Sequence, residues 1–298
     1  MIISASRRTD IPRFYADWFM KRIQAGFVLV PNPYNPHHIA RVSLAVRDVT
    51  AIVFWTRYPG PLLARLHELD EQGFRYYFQI TLNHYPSLYE ANAEPLARVL
   101  DAIQQLAHHI GPARIIWRYD PIFFSRDLDS DFHLHNFAAL SHALTGCTHR
   151  VVISLLDEYR KTVRRLHDLQ CGFTGDPLLR EDLSALLAEL ARIARQNGMV
   201  MESCAEAVDL TALGIYPGRC IDDRLLREVF NLNLTFRKDP SQRPHCGCMV
   251  SKDIGINNTC PGGCVYCYAA GRPSTALNNY QRHISASDAL MRLPGDIT

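Results

Sequence analysis

Short runs of β-branched and aromatic residues alternate along the chain with longer stretches of helical periodicity. The runs that predict strands are Ile2–Ser6, Ala51–Thr56, Tyr76–Thr81, Arg114–Tyr119, Arg150–Leu155, Met199–Cys204 and Met249–Ile254. Helical patterns lie between them, at Ala16–Gln24, Glu94–Ile110 and Arg180–Asn197. This alternation is typical of βαβ units. We therefore predict an α/β fold with a mainly parallel sheet, and seven such strands favour a closed or nearly closed barrel.

Length and composition set the broad class of the protein. The chain has 298 residues, of which 47% are hydrophobic and 21% charged, as in ordinary globular proteins. No apolar run approaches the roughly 18 residues that would span a bilayer, so we expect no membrane insertion. The net charge is +2, from 32 basic and 30 acidic residues, and it neither supports nor excludes a nucleic-acid partner.

The whole chain, residues 1–298, is predicted to form a single domain. Phe27–Ala45 contains Pro31 and Pro33 and reads as an inserted hairpin or loop, while the segment 204–270 is rich in cysteine. Met1–Ser6 runs directly into a predicted strand without a basic region, an apolar core or a cleavage site. A cytoplasmic location is therefore expected.

The predicted strands end in polar residues. Arg118 and Asp120 lie at the end of one strand, Ser154 and Asp157 at the end of the next, and Glu206 just after the one that follows. In parallel α/β barrels the working groups lie at the carboxyl ends of the strands. We therefore expect a polar, charged pocket at this edge of the sheet.

The nine cysteines are concentrated in the last third of the chain. Seven lie between Cys204 and Cys267, and five of these lie between Cys246 and Cys267. In the reducing cytoplasm clustered cysteines are metal ligands or catalytic groups more often than disulfides. Cys147 and Cys171 have no ligand-like neighbours and are interpreted as packing residues.

Three cysteines form a compact motif, Cys260-x-x-x-Cys264-x-x-Cys267, within the segment NNTCPGGCVYCYAA. Three thiolates at this spacing can hold three irons of a 4Fe–4S cluster, because Pro261, Gly262 and Gly263 let the loop curl around it. The fourth iron is left for the amino and carboxylate groups of S-adenosylmethionine, and a reduced cluster can cleave that cofactor to a 5′-deoxyadenosyl radical. We therefore predict a radical enzyme with an undetermined substrate.

Two other interpretations of this motif are a zinc site and a four-thiolate electron-transfer cluster. Zinc sites usually carry two Cys-x-x-Cys pairs or a mixed cysteine and histidine set, which this spacing fits poorly. A noncatalytic iron–sulfur or redox-sensing protein, or a zinc-stabilised binding module, would explain the motif without explaining the charged strand ends. An enzyme explains both.

At these residues the sequence resembles the radical-SAM superfamily, most closely its spore photoproduct lyase-like branch, where Asn, Gly and Tyr-Ala also flank the motif. From SASRRTDIP at Ser4–Pro12 through WRYDP at Trp117–Pro121 to CAE at Cys204–Glu206, it is similar to a bacterial family known as a domain of unknown function. That family carries a radical-SAM-like cysteine cluster at its C-terminus. The resemblance supplies no substrate.

The motif usually follows the first barrel strand in the superfamily, whereas here it lies near the C-terminus. The first and last elements of a barrel are neighbours, so exchanging chain ends preserves the packing. We therefore predict a circularly permuted partial or full (β/α) barrel, with Met249–Ile254 as the superfamily's first strand. This arrangement requires Met1–Ser6 to lie next to Met249–Ile254.

Cys204, Cys220, Cys246 and Cys248 form a second set. Four thiolates are what a fully ligated second 4Fe–4S cluster or a structural zinc requires, and buried packing residues are the alternative. If Met249–Ile254 is a strand, Cys246 and Cys248 enter it at the edge of the sheet opposite to Cys204. The four can meet only if 242–251 is a loop folded over the strand ends.

Roles follow from the chemistry of the strand-end residues. We expect Asp120 or Glu206 to bind the cofactor's hydroxyl or ammonium groups, and Arg118 to orient the cofactor or an anionic substrate. An ion pair between Arg118 and Asp120 or Glu206 that only closes the barrel is the alternative. Tyr266, just before the last cysteine, is expected to contact the cofactor. The substrate is a small molecule or a nucleic acid, and a donor such as flavodoxin or ferredoxin would supply electrons.

Overall fold

The computed structural model describes residues 1–35 and 37–293, so Pro36 and residues 294–298 lie outside it. The strands are β1 Ile2–Ala5, β2 Phe27–Pro31, β3 Ile39–Ser43, β4 Ala51–Thr56, β5 Tyr76–Thr81, β6 Ile115–Ile122, β7 Arg150–Leu155, β8 Val200–Ser203, β9 Ile215–Pro217 and β10 Lys252–Asp253. The α-helices are α1 Ile11–Phe14, α2 Ala16–Ala25, α3 Gly60–Leu63, α4 Leu66–Glu71, α5 Leu96–Ile110, α6 Ser130–Ala143, α7 Arg160–Asp168, α8 Leu183–Gln196, α9 Asp223–Phe230 and α10 Pro273–Gln281.

Within this part of the chain, eight strands form one mostly parallel sheet. The predicted α/β class with a mainly parallel sheet is therefore confirmed, and the permuted barrel stays a prediction. The chain divides into two compact units. The first contains residues 1–78, 251–263 and the described residues from Ala269 onward; the second contains 79–250 and 264–268.

In the first unit β1 is the central strand, with parallel partners on both sides. Ile2 to Ala5 pair with Ala51 to Phe54 of β4, while Ile3 and Ser4 pair with Lys252 and Asp253 of β10. All four residues of β1 are buried, as expected for a strand covered on both faces. The predicted adjacency of the first and last strands is confirmed, although β10 is only two residues long.

Asp253 fixes the junction between β10 and the chain after β1. Its carboxylate accepts hydrogen bonds from Ser4 Oγ at 2.8 Å, Ser6 Oγ at 2.6 Å, the Arg7 amide at 3.0 Å, Arg8 Nη2 at 3.1 Å and the Gly255 amide at 3.0 Å. Burial alone would raise the pKa of Asp253, but Arg8 and Ser6 outweigh it and lower that pKa below 3.8. A Cβ at Gly255 would overlap Ser6 Oγ, so this approach requires glycine.

The segment predicted as an inserted hairpin or loop contains β2 and β3, which pair antiparallel from Phe27 opposite Ser43 to Pro31 opposite Ile39. Leu29 also forms a parallel bridge with Ala289. This hairpin belongs to the first unit.

In the second unit β6, β7, β8 and β9 pair in that order, all in parallel. Strand β6 continues to Ile122, three residues beyond its predicted end at Tyr119. Its register against β7 shifts between Tyr119 and Ile122. Helix α8 is buried along Leu183, Leu186, Leu187, Leu190 and Ile193, the spacing of one apolar helical stripe. The rings of Trp117 and Phe137 stack with centroids 4.8 Å apart, joining β6 to α6.

His133 on α6 is fully buried as a neutral imidazole. Its Nε2 lies 3.0 Å from the carbonyl of Phe123, so Nε2 carries the proton, and its Nδ1 accepts from the Tyr119 hydroxyl at 2.9 Å. Burial lowers the pKa of His133 to about 4.

Asp253→Ala is expected to lower the free energy of unfolding by about 3 kcal/mol, because it leaves Arg8 without its carboxylate partner at a site where both side chains are 18% exposed. Urea unfolding at pH 7 measures the change. The exposed residue Glu71 provides the control, and Glu71→Ala should change stability by less than about 0.5 kcal/mol. Equal effects of the two substitutions would contradict the anchoring role.

The neutral His133 predicts loss of stability in mild acid. Below about pH 6.5 the unfolded chain takes up a proton that the native chain resists until about pH 4, so the unfolding free energy falls by up to about 3 kcal/mol across this window. His133→Gln should flatten that part of the pH profile, whereas His135→Gln, at an exposed position of the same helix, should not. Superimposable profiles for the parent and His133→Gln would refute the assignment.

Candidate functional site

The carboxyl ends of β6, β7 and β8 bring charged side chains together in the second unit. Arg118 donates through Nε to Asp120 Oδ2 at 2.9 Å, and Nη2 bonds the same oxygen. Ser154 Oγ donates to the other carboxylate oxygen of Asp120. Three of the residues predicted for the strand ends, on β6 and β7, are therefore in direct contact, and the predicted pocket stays a prediction.

Arg118 is only 5% exposed, and its partners compensate its charge. Nη1 donates to Gln79 Oε1 at 3.4 Å and to Cys220 Sγ at 2.9 Å. Burial alone would lower the pKa of Arg118, but Asp120 and the nearby thiols outweigh it and raise that pKa. The ion pair considered as the alternative role for Arg118 and Asp120 is thus present in the structure.

Glu206 lies just beyond β8 and is oriented through one oxygen. Oε1 accepts from the Leu155 amide at 3.0 Å, and Oε2 makes no hydrogen bond within the described part of the chain. Burial, together with the charges of Asp157 and Asp120, raises the pKa of Glu206 to about 7 against the opposing effects of the Leu155 amide and Arg243. Arg243 in turn bonds Asp157 and donates to the Cys204 carbonyl at 3.4 Å.

The structure brings the second cysteine set together. Cys204 Sγ and Cys220 Sγ are 3.4 Å apart, the thiol of Cys220 bonds that of Cys248, and Cys248 bonds Cys246. The segment 242–251 contains no regular strand, and Met249 only forms a bridge with Lys238. Cys246 and Cys248 therefore lie on a loop before the short β10 and not at the start of a longer strand. This is the condition under which the four cysteines were expected to meet.

The environments of these thiols differ. The contact with Cys220 and burial raise the pKa of Cys204. The contact with Cys204 lowers the pKa of Cys220, but the contact with Cys248 and burial outweigh it and raise that pKa to about 11. The hydrogen bond with Cys248 lowers the pKa of Cys246 to about 7.

Cys264 and Cys267 lie in one turn of the second unit. The Cys267 amide donates to the Cys264 carbonyl at 3.2 Å, and the Arg165 guanidinium bonds the Cys267 carbonyl. Burial lowers the pKa of Arg165, while the thiols of Cys267 and Cys264 oppose that shift. A cation therefore lies beside both thiols. The sequence does not indicate this contact, because Arg165 is about 100 residues away along the chain and lies within a basic helix.

Tyr266 holds this turn in place. Its hydroxyl donates to Glu90 Oε1 and accepts from Asn83 Nδ2 at 3.2 Å, and the side chains of Tyr266 and Glu90 are buried. The Val265 amide donates to the Tyr89 carbonyl at 3.0 Å, and Cys264 forms an antiparallel bridge with Glu90. These contacts anchor the loop to the chain after β5, and the predicted contact of Tyr266 with a cofactor stays a prediction.

Cys260 belongs to the first unit and is described separately. The loop before it is held by Tyr15, whose hydroxyl donates to the Thr259 carbonyl at 2.6 Å, and by Thr9, whose Oγ1 lies 2.6 Å from Thr259 Oγ1. A Cβ at Gly262 would lie 3.4 Å from Cys260 Sγ, so glycine leaves the space beside this thiol clear.

Among known families, the model for "Domain of unknown function (DUF1848)" matches residues 2–269. The chain belongs to the DUF1848 family. The region matched to DUF1848 includes every residue predicted for the site, from Arg118 to Cys267. No curated protein matches the sequence.

All nine cysteines of this DUF1848 chain are thiols. Cys147 and Cys171 are buried, in agreement with packing roles, and Cys171 Sγ donates to the Leu166 carbonyl at 3.4 Å. Across residues 1–35 and 37–293, no group of three or more His, Cys, Asp or Glu side chains is arranged so that it could hold a metal ion. Over the same residues, no helix has the length and apolar character needed to cross a bilayer.

Tyr266→Phe is expected to lower the unfolding free energy by about 2 kcal/mol, because it removes a buried hydroxyl that donates to a carboxylate. Hydrogen exchange of amides 264–268 should accelerate more than that of β7. Tyr159→Phe, at a side chain that is 43% exposed, is the control and should leave both measurements near the parent values. Unchanged exchange in the Tyr266→Phe variant would show that the hydroxyl does not hold the loop.

Proposed function

We propose that the chain is a radical S-adenosylmethionine enzyme whose 4Fe–4S cluster is bound by Cys260, Cys264 and Cys267. The observation that carries the proposal is three thiols within eight residues, spaced Cys-x-x-x-Cys-x-x-Cys, on a loop with no regular secondary structure. Three cysteines leave one iron of such a cluster without a protein ligand.

The donor set fits an iron–sulfur cluster. Thiolates are its usual ligands, and all three cysteines are partly exposed thiols. Arg165 lies beside Cys264 and Cys267, where a guanidinium offsets the negative charge of thiolates, and Gly262 keeps the space beside Cys260 clear. When bound, the cluster supplies the electron that splits S-adenosylmethionine into methionine and a 5′-deoxyadenosyl radical, which removes hydrogen from the substrate.

The pairing of β10 with β1 supports a permuted barrel. The cysteine loop follows β10, a parallel strand, just as the superfamily's motif follows its first strand. Groups at the carboxyl ends of parallel strands form the active site in barrels of this kind. Moving that first strand to the end of the chain leaves its neighbours unchanged.

Glu206 is the carboxylate that we assign to the cofactor. One oxygen is held by the Leu155 amide, and the other is available to accept from an ammonium or ribose hydroxyl group. Both oxygens of Asp120 are engaged by Arg118 and Ser154, so Asp120 acts by positioning the guanidinium of Arg118. Asp120, Gln79 and Cys220 engage Arg118 in the structure, so Arg118 would orient an anionic part of the cofactor or substrate by exchanging one of these partners for it.

A soluble one-electron donor such as flavodoxin or ferredoxin completes the proposed reaction. We expect that reaction in the cytoplasm, where the reducing environment keeps clustered cysteines available as metal ligands. The substrate of that reaction is a small molecule or a nucleic acid.

Anaerobic reconstitution with iron and sulfide tests the proposal. The parent should form a visible charge-transfer band, change its electron paramagnetic resonance spectrum on addition of S-adenosylmethionine, and release 5′-deoxyadenosine when reduced. Cys264→Ala should lose the spectral response to S-adenosylmethionine and the release of 5′-deoxyadenosine, and Cys147→Ala, at a buried packing position, should keep both. A cluster whose spectrum ignores S-adenosylmethionine would identify an electron-transfer or sensing protein instead, and a colourless zinc protein would exclude the radical chemistry.

Glu206→Gln is expected to retain iron and fold while releasing 5′-deoxyadenosine at least about tenfold more slowly, since a charge-assisted hydrogen bond contributes about 1.5–3 kcal/mol. Glu158→Gln, at an exposed position, is the matched control and should react at the parent rate. The rate of product formation under saturating dithionite measures both. Parent-like cleavage by the Glu206→Gln variant would remove Glu206 from the cofactor site.

A further inference from the structure

Four thiols converge in the second unit from three separate segments of the chain. Cys204 follows β8, Cys220 precedes α9, and Cys246 and Cys248 lie on the loop before β10. Contacts run from Cys204 to Cys220 at 3.4 Å, then to Cys248, and then to Cys246. Cys220, Cys246 and Cys248 are 3%, 8% and 2% exposed, so the group is almost wholly buried.

We propose that Cys204, Cys220, Cys246 and Cys248 form a tetrathiolate metal centre separate from the cluster assigned to the C-terminal motif. The proposal uses residues of the second unit alone, so it holds or fails independently of the radical chemistry. The shared ligand chemistry is four thiolates, which suits one tetrahedral Zn²⁺ or one fully ligated 4Fe–4S cluster.

The surroundings of the four thiols are those that metal-bound thiolates require. Arg118 Nη1 donates to Cys220 Sγ at 2.9 Å, and the Ile221 amide donates to Cys248 Sγ at 3.4 Å. Four thiolates around Zn²⁺ or an oxidised 4Fe–4S core carry excess negative charge, which a buried guanidinium and backbone N–H groups offset. Packing cysteines alone would not need a buried cation beside them.

Cys204 Sγ and Cys220 Sγ are in contact at 3.4 Å, and among the described residues no three such side chains are placed so that they could hold a metal ion. Metal binding removes the thiol protons and with them these S–H contacts. A single torsion, χ1, sets the position of each Sγ and has three staggered wells. The proposal therefore rests on where the backbone places the four cysteines.

The location also suits a structural role. The four residues connect the end of β8, the start of α9 and the loop 231–250, a segment with no helix or strand of its own. One metal would cross-link these segments, as structural zinc does in small domains. The expected consequence is ordered placement of Arg118 and of the neighbouring strand ends.

The test uses the full chain carrying Cys260→Ala, Cys264→Ala and Cys267→Ala, which removes the proposed catalytic ligands. After anaerobic purification, and after separate reconstitution with zinc or with iron and sulfide, elemental analysis should find about one zinc or about four irons with matching sulfide per chain. Adding Cys220→Ser or Cys248→Ser should remove that metal, whereas Cys147→Ser or Cys171→Ser should not. Less than about 0.2 metal per chain in every preparation, or metal that survives Cys248→Ser, would overturn the proposal.

Thiol labelling guards against variants that fail to fold. In the same triple-alanine chain, alkylation at each remaining cysteine is followed by mass spectrometry before and after metal removal with EDTA, with ferricyanide added where iron is bound. Cys204, Cys220, Cys246 and Cys248 should become reactive together on metal removal, while Cys147 and Cys171 keep their rates. Four rates that do not respond to metal removal would show that burial alone protects these thiols.

Discussion

The buried guanidinium of Arg118 determines how the polar part of the second unit is built. A cation that is 5% exposed must be compensated by a carboxylate and satisfied by hydrogen-bond acceptors, because leaving it unpaired costs several kcal/mol. Asp120 compensates the charge, and Gln79 and Cys220 accept from the remaining N–H groups. The result is that strands β5 and β6 and the segment before α9 meet at one side chain.

This compensation extends to the neighbouring strands. Ser154 at the end of β7 holds the second oxygen of Asp120, and Cys204 at the end of β8 lies against Cys220. Each residue therefore limits the rotamers of the next, so the strand ends form one connected network. Glu206 stands beside this network with one oxygen uncommitted, and a ligand that entered here would meet groups already fixed in place.

Local patterns explain what the sequence could predict. Six of the seven predicted strands appear within a few residues of their expected bounds, because a buried parallel strand is a short apolar run wherever it occurs. The seventh strand, predicted at Met249–Ile254, covers only Lys252–Asp253 in the structure. Asp253 is held in place by side-chain hydrogen bonds, which hydrophobic periodicity does not indicate. Strand β9 was not predicted, because three residues are too few to show a pattern. Helix α7 was not predicted either, because only Thr162 and Leu166 of Arg160–Asp168 are buried.

The two cysteine sets differ in how far the sequence can describe them. The ligands of the C-terminal motif are at most seven residues apart, so spacing alone indicates their chemistry. The proximity of Cys204 and Cys248 depends instead on the direction of β8 and on the path of the loop before β10. Because the last strand was predicted to begin at Met249, the sequence placed these two cysteines at opposite edges of the sheet. Partners distant in the chain, Arg165 beside Cys264 and Glu90 beneath Tyr266, were missed for the same reason. A thiol's neighbours in space decide its charge and its ligands, and those neighbours depend on the fold.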